Sequence, residues 1–268
     1  MSKNAKLGIV VTDIHCGSYW GLSPLSVELP GTNDGEYRVG KLGRLLYAEY
    51  MKLVKEFYKP DFLLFLGDSI EGKQKKSGGE GTWTTNFQTQ GDVAIELLNE
   101  WKAKSFYAVR GTRYHIDDAN ADEYVAKNVS NAVSIDGQYA PPDRYLTVLG
   151  QIIHMSHKIG GSKVWQYRGT PASRELTMNR VMDPKTDVYR ANLILRAHVH
   201  HFFSAKAGPH SEMIKCPCFK LRDDYAASEN PFAWVPQLGI IVIEATPKGL
   251  NCYPRLLEID QRPTLEIV

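Results

Sequence analysis

Short apolar runs, many of them rich in valine, isoleucine and leucine, recur along the chain and are typical of buried β-strands. Between several of them lie longer segments whose apolar residues return every three or four positions, the spacing of an amphipathic α-helix. The predicted strands are residues 7–12, 62–66, 106–109, 145–149, 151–155, 192–196, 213–216, 238–244 and 251–257. The predicted helices are residues 41–58, 93–101, 121–129 and 171–181.

This order of elements predicts an α/β fold. Helices and strands alternate in the N-terminal half, and strands predominate afterwards, which favours two sheets packed face to face between helices. No internal repeat and no linker divides the chain, so we expect a single domain over residues 1–268. Two polar segments without a clear period, residues 17–40 and 71–90, predict long loops at the mouth of a cleft.

Acidic and histidine side chains follow several of the predicted strands. Ligands at strand ends project from a rigid sheet edge into one shared cleft. Carboxylate and imidazole without paired thiolates suit Mn, Fe, Zn or a similar ion, and two aspartates with four or more histidines are enough for two metals. The segments are Asp13-Ile14-His15, Gly67-Asp68, Gly111-Thr112-Arg113-Tyr114-His115, the pair His154 and His157, and Ala197-His198-Val199-His200.

In this order, the segments resemble the motifs of the calcineurin-like metallophosphoesterases, over residues 13–200. The resemblance implies a four-layer α-β-β-α sandwich with two mixed β-sheets and a metal site at the carboxyl ends of the strands. It also implies two divalent ions, manganese first, with iron, zinc, nickel or cobalt as alternatives. Asp13, His15 and His200 would hold the first ion, Asp68 would bridge to the second, and His198 with one strand-end histidine would complete the second site.

Two histidines compete for that strand-end position. The family's ligand lies just past the strand and is followed by glycine. His157 fits the position, although Lys158 stands where the glycine belongs, and His154 is the alternative. His157 is therefore the predicted ligand.

The third block departs from the family's usual G-N-H. Thr112 stands where the asparagine ligand belongs, and His115 comes two residues later than expected. His115 is the predicted catalytic residue, able to stabilise the transition state and protonate the leaving oxygen if the loop bulges. Arg113 is the predicted contact for substrate phosphate oxygens. Three alternatives are open for the missing amide: Asn86 replaces it, water replaces it, or the second ion binds weakly.

The implied activity is metal-dependent hydrolysis of a phosphoester by a metal-bridging hydroxide. A phosphodiester in a nucleic acid or nucleotide is favoured, because the long loops and the G-T-x-x-H block resemble phage-type members of the family. A phosphomonoesterase is one alternative. A catalytically inactive scaffold of the same fold that binds a protein partner is the other.

Composition narrows the setting. The 268 residues are 43% hydrophobic, enough for a large core. Formal net charge is +2, from 32 basic and 30 acidic residues, so no overall charge marks a nucleic-acid binder. Four cysteines at irregular spacing exclude a disulfide framework. No apolar stretch reaches the roughly 20 residues of a membrane span, and no secretory signal is evident; we therefore expect a cytoplasmic protein.

Overall fold

The computed structural model describes residues 5–30, 35–75, 78–116, 120–162, 164–181, 189–208, 210–224 and 235–262. Within them lie twelve strands: β1 Lys6–Val11, β2 Ser26–Glu28, β3 Glu36–Arg38, β4 Phe62–Phe65, β5 Phe106–Ala108, β6 Asp143–Val148, β7 Gln151–Ser156, β8 Leu193–Arg196, β9 Phe203–Lys206, β10 Glu212–Lys215, β11 Leu238–Thr246 and β12 Gly249–Leu257. The α-helices are α1 Lys41–Glu56, α2 Phe87–Asn99, α3 Arg113–Ile116, α4 Ala121–Asn128 and α5 Thr170–Val181.

Ten of these strands form two mixed sheets. The first has the order β12-β11-β1-β4-β5, in which β1, β4 and β5 run parallel. The second has the order β6-β7-β8-β10-β9, in which β7, β8 and β10 run parallel. Parallel neighbours end at the same sheet edge, so the turns after β1, β4 and β5 lie together, as do those after β7 and β8.

Alternating side chains of the central strands enter two different cores. Ile9 and Val11 of β1 pack in a core with helices α1, α2 and α4, whereas Val10 packs between the two sheets. A third core joins α5 to the outer face of the second sheet. The layers therefore run helix, sheet, sheet, helix, and the predicted sandwich is confirmed.

The cysteines follow this layering. Cys216 is buried between the sheets and Cys218 in the first helix–sheet core. No disulfide links the four cysteines. Among the described residues, no helix combines the length and the apolar character needed to cross a bilayer.

Several boundaries differ from the prediction. The segment predicted as a loop over residues 17–40 contains the hairpin β2–β3. Helix α2 begins at Phe87, six residues before the predicted start, because Asn86 caps its first turn through Thr89 N–H at 3.1 Å. The short helix α3 and the edge strand β9 were not predicted, since each is only four residues long and carries no periodic apolar signal.

Candidate metal centre

Backbone hydrogen bonds join the turns that carry the predicted ligands. Asp13 N–H donates to Gly67 O at 3.1 Å and His15 N–H to Asp68 O at 3.1 Å, so the turns after β1 and β4 form one unit. In the second sheet, Ala197 N–H donates to His157 O at 2.8 Å. Each side chain is thus held by a turn that a neighbouring turn supports.

Five of the six predicted ligands have left-handed backbone conformations. The φ angles are 50° at Asp13, 46° at His15, 53° at Asp68, 72° at His198 and 54° at His200. This conformation costs a residue other than glycine roughly 1–2 kcal/mol. Such strain persists only where surrounding contacts enforce it, so these five residues are candidates for a functional site.

The first group of ligands contains Asp13, His15 and His200. Nε2 of His200 lies 3.2 Å from Oδ1 of Asp13 and 3.3 Å from Nε2 of His15. Two imidazole nitrogens that face each other at this distance need a proton or a cation between them. Asp13 is fully buried, and although burial opposes its ionisation, His157 and the other histidines hold its pKa well below the usual range. The group therefore supplies one carboxylate and two ring nitrogens to a single point.

The second group contains Asp68, His157 and His198, whose ligand atoms lie within 4.8 Å of one another. Nδ1 of His157 donates to Leu66 O at 2.6 Å, because a carbonyl can only accept. In the neutral ring, Nε2 then has a free lone pair, and this nitrogen lies 3.1 Å from Oδ2 of Asp68. A histidine that donates its other nitrogen to a carbonyl is oriented as metal-binding histidines are, and the donor set fits a divalent cation.

Asp13 also connects the two groups. Its Oδ1 atom lies 3.8 Å from Nε2 of His15 and 3.9 Å from Nε2 of His157. Asp68, predicted as the bridging carboxylate, lies against His157 and Thr112. Asp13 therefore contacts residues of both groups, and the bridging role of Asp68 stays a prediction.

In the block that departs from G-N-H, Thr112 hydrogen-bonds to Asp68. Thr112 donates its N–H to Oδ1 of Asp68 at 2.7 Å, and its hydroxyl lies 3.2 Å from both carboxylate oxygens. Thr112 thus stands at the position of the family's asparagine ligand, and what it does there is orient Asp68. Asn86 does not replace that asparagine, because its side chain caps α2.

His115 lies beside the first group. Its ring centroid is 4.5 Å from that of His15, and its Nδ1 donates to Glu71 O at 3.0 Å, which leaves Nε2 as the free ring nitrogen. Burial lowers the pKa of His115 below its ordinary value. Arg113, two residues earlier on α3, is exposed. The bulge needed to place His115 near the ligands is this short helix.

His154 is excluded from the centre by strand alternation. Its ring stacks on Tyr145 at 4.2 Å, and its Nδ1 accepts from Arg196 at 3.3 Å, on the outer face of the second sheet. His201 is half-buried, with Nδ1 against Val199 O at 2.9 Å.

A buried carboxylate beside the ligands was not predicted. Oε2 of Glu71 lies 2.8 Å from Nδ1 of His15, and Oε1 lies 3.1 Å from Nζ of Lys220. Lys220 also contacts Asp223 at 3.0 Å. In the sequence, Glu71 is marked only by its position three residues after the predicted ligand Asp68. Lys220, 149 residues from Glu71, has no such neighbour that would point to the site.

Asp122 is a second unpredicted carboxylate. It is buried and accepts three backbone N–H groups, from Ser69 at 3.0 Å, Asp68 at 3.3 Å and Gly111 at 2.6 Å. These bonds tie the turn after β4 to the turn after β5. A Cβ on Gly111 would lie 2.0 Å from Oδ1 of Asp68, so only glycine permits this approach.

No protein-family model matches the chain, and no curated protein does. Several solved structures resemble it at low identity. Chaetomium thermophilum Vps29 is 11% identical, with 96% of this chain and 88% of that chain covered and a TM-score of 0.48. Entamoeba histolytica Vps29 complexed with Zn²⁺ is 11% identical, with 93% and 98% covered and a TM-score of 0.43. A predicted phosphoesterase from Streptococcus pneumoniae is 10% identical, with 95% and 100% covered and a TM-score of 0.38. Similarity at this level assigns neither an activity nor a site to the chain.

Proposed function

We propose that this chain is a metal-dependent phosphoesterase of the calcineurin-like type. The described residues form three groups of one carboxylate and two imidazoles each, and the observation that carries the proposal is the convergence of two of them from the facing edges of two sheets. A pair of bound cations suits the hydrolysis of a phosphoester, because the two ions can serve both the attacking and the leaving oxygen.

The ligand sets follow from the contacts. Asp13, His15 and His200 would hold one ion, and Asp68, His157 and His198 the other. When bound, the pair would supply a hydroxide nucleophile at neutral pH and neutralise charge on the phosphoryl oxygens. Hard carboxylate oxygens mixed with imidazole favour manganese, with iron, zinc, nickel or cobalt as alternatives.

The chain's own residues complete the reaction. His115 presents Nε2, the nitrogen not engaged by Glu71 O; after taking up a proton there, it would donate that proton to the leaving oxygen. Arg113 lies exposed on the same short helix and would contact phosphate oxygens. Thr112 keeps Asp68 in place through its N–H and hydroxyl.

The proposed substrate is a phosphodiester, in a nucleic acid or a nucleotide. The deciding experiment compares bis(4-nitrophenyl) phosphate with 4-nitrophenyl phosphate, with and without added manganese. We expect manganese-dependent turnover that is faster for the diester. Faster turnover of the monoester would replace the diesterase with a phosphomonoesterase, and no turnover of either with several metals would contradict both.

His115→Ala tests the assigned proton transfer. We expect turnover to fall about 10²–10⁴-fold, the usual contribution of general acid–base catalysis, while both metals remain bound. His210→Ala, at an exposed histidine outside the centre, is the matched control and should leave the rate unchanged. Unchanged turnover in His115→Ala would remove His115 from the mechanism.

The second candidate is a scaffold of the same fold that binds a protein partner. One observation favours it: the third block lacks an amide ligand, and the groups of Thr112 that could replace it are directed at Asp68. Metal content separates the two functions, because a scaffold need not hold ions tightly. Stoichiometric metal after purification, together with turnover, would exclude the scaffold.

A further inference from the structure

A cavity of about 620 Å³ lies on the far side of the second sheet from the metal centre. Its walls come from helix α5, from the outer face of β6, β7 and β8, and from the segment that leads from His157 to α5. Small-molecule sites have volumes of about 300–1,000 Å³. The cavity is therefore large enough for an organic ligand.

Arg196, one of the cavity's lining residues, is a buried cation. Its side chain is 9% exposed, and its Nε lies 2.8 Å from Oε2 of Glu175. One terminal nitrogen donates to Leu195 O at 2.9 Å and the other lies 3.3 Å from Nδ1 of His154. A guanidinium has five N–H groups, so these three contacts leave two that no described residue accepts.

Positive charge exceeds negative charge around the cavity. Among the described lining residues, Arg174 and Arg196 are cationic and Glu175 is the one carboxylate. Asp143, an exposed carboxylate outside the lining, lies 3.7 Å from Nε2 of His154 and also attracts Arg196. The same carboxylate also faces Lys215, which lies behind the wall, is fully buried, and contacts a carbonyl oxygen and the Phe203 ring. Buried cations without a matching anion are costly, and a bound anion would offset that cost.

The remaining walls are apolar or aromatic. Ile159, Ile194 and Met178 line the cavity together with the rings of Tyr145 and Tyr167. Ligand sites combine such walls with a few polar groups that fix orientation. An inorganic ion would leave these surfaces unused, whereas an organic body would cover them.

We propose that this cavity is a second binding site, for a small organic anion with an apolar or aromatic body. Arg174 and the free N–H groups of Arg196 bind the anionic group, and the isoleucine, methionine and tyrosine side chains contact the body. The site is separate from the metal centre, because His154 lines the cavity while His157, three residues on, turns to the opposite face. The inference is therefore independent of the phosphoesterase proposal.

The test uses two fluorescent probes of matched body. 8-Anilinonaphthalene-1-sulfonate carries an anionic group, and N-phenyl-1-naphthylamine is its uncharged counterpart. Each is titrated into the full chain with a chelator present, so that neither reports on bound metal. We expect the sulfonate to bind saturably at one equivalent and about tenfold or more tighter than the amine, because only the sulfonate can make a charge-assisted contact with a guanidinium; tenfold corresponds to about 1.4 kcal/mol.

Two variants of the same helix separate a specific site from general attraction. Arg174→Glu reverses a lining charge, and Arg180→Glu reverses an exposed charge outside the cavity whose side chain reaches Ala207 O. Sulfonate affinity should fall about tenfold or more in Arg174→Glu and less than about twofold in Arg180→Glu. Equal losses in both variants, equal affinity for both probes, or the absence of saturable binding would each overturn the proposal.

Discussion

Oε2 of Glu71 lies 2.8 Å from Nδ1 of His15, and both side chains are buried. When the ring is neutral, as metal binding requires, the negative charge of Glu71 favours the proton on Nδ1, so that Nε2 faces Asp13 and His200 with a lone pair. A carboxylate behind a metal-binding histidine orients the ring and raises its basicity. Lys220 on the other oxygen holds the carboxylate itself.

Replacement of Glu71 by glutamine is expected to weaken metal binding. Loss of such a supporting carboxylate typically costs 10–100-fold in metal affinity, and here it also leaves Lys220 with Asp223 as its described anionic partner. Titration calorimetry with Mn²⁺ on the metal-free protein measures the change. Glu258→Gln, at an exposed position, is the control. Equal affinity in wild type and Glu71→Gln would show that Glu71 does not position His15.

A methyl group on Gly111 should disturb Asp68. The added Cβ would lie 2.0 Å from Oδ1 and 2.3 Å from the backbone N of Asp68, and neither the buried carboxylate nor the backbone can yield easily. Overpacking of this kind costs about 1–3 kcal/mol, so Gly111→Ala should lower both the free energy of unfolding and metal affinity. Urea unfolding and metal titration measure the two effects.

Gly161→Ala is the matched control for that substitution, because its Cβ would meet Val199 at an ordinary 3.7 Å. It should change the free energy of unfolding by less than about 0.5 kcal/mol, as exposed substitutions usually do. Similar losses in Gly111→Ala and Gly161→Ala would contradict the proposed clash.

The convergence of the candidate ligands could be predicted because each carries a local signal, a polar side chain directly after an apolar strand. His154 and His157 were separable on the same ground, since three residues along the strand end place them on opposite faces. Glu71, Asp122 and Lys220 could not be predicted in this way. The contacts that bring them to the site join residues far apart in the sequence: Asp122 to Ser69 across 53 residues and Lys220 to Glu71 across 149. The left-handed backbone at the ligands also follows from packing of neighbouring turns and not from residue type.

The layers of the fold were similarly accessible, because β1 and β4 present apolar side chains to both faces and must be buried on both. The start of α2 was not, since residues 87–92 have no apolar period and the helix there depends on the Asn86 cap. Strand β9 is an edge strand of four residues with partly exposed side chains, so its formation depends on pairing with β10.

His154 should make the stability of the protein depend on pH. Burial and the nearby Arg196 lower the pKa of His154 to about 3, against 6.5 in the unfolded chain. Between these values the unfolded chain takes up a proton that the folded chain does not. The free energy of unfolding therefore decreases as pH falls from 6.5 towards 3, by up to about 1.4 kcal/mol per pH unit. Above pH 6.5, His154 adds no pH dependence.

His154→Gln, which keeps an acceptor for Arg196, should remove that part of the slope. Urea unfolding at pH 7, 6 and 5 with a chelator present gives the free energy of unfolding for each protein. His210→Gln, at an exposed position, should retain the wild-type slope. The same slope in wild type and His154→Gln would show that the ring is already protonated or solvated in the fold.

Metal binding near neutral pH should release protons. In the metal-free protein, burial and Lys220 oppose protonation of His15, yet Glu71 and Asp13 raise its pKa to about 9. Burial likewise opposes protonation of His157, but Asp68 and Asp13 raise its pKa to about 10. Both rings are therefore positively charged at pH 7, with a proton on each nitrogen, and each must lose one proton to act as a ligand. Loading both sites with Mn²⁺ should release about two protons per chain from these rings, plus one from the water that becomes the proposed hydroxide, and affinity should rise with pH up to the region of these pKa values. Calorimetry at pH 7 in buffers of different ionisation enthalpy counts the protons directly.

His154→Gln should release the same number, because that ring is neutral and lies on the opposite face of the sheet. Release of no protons would mean that His15 and His157 are not the ligands, or that their rings are already neutral in the metal-free protein.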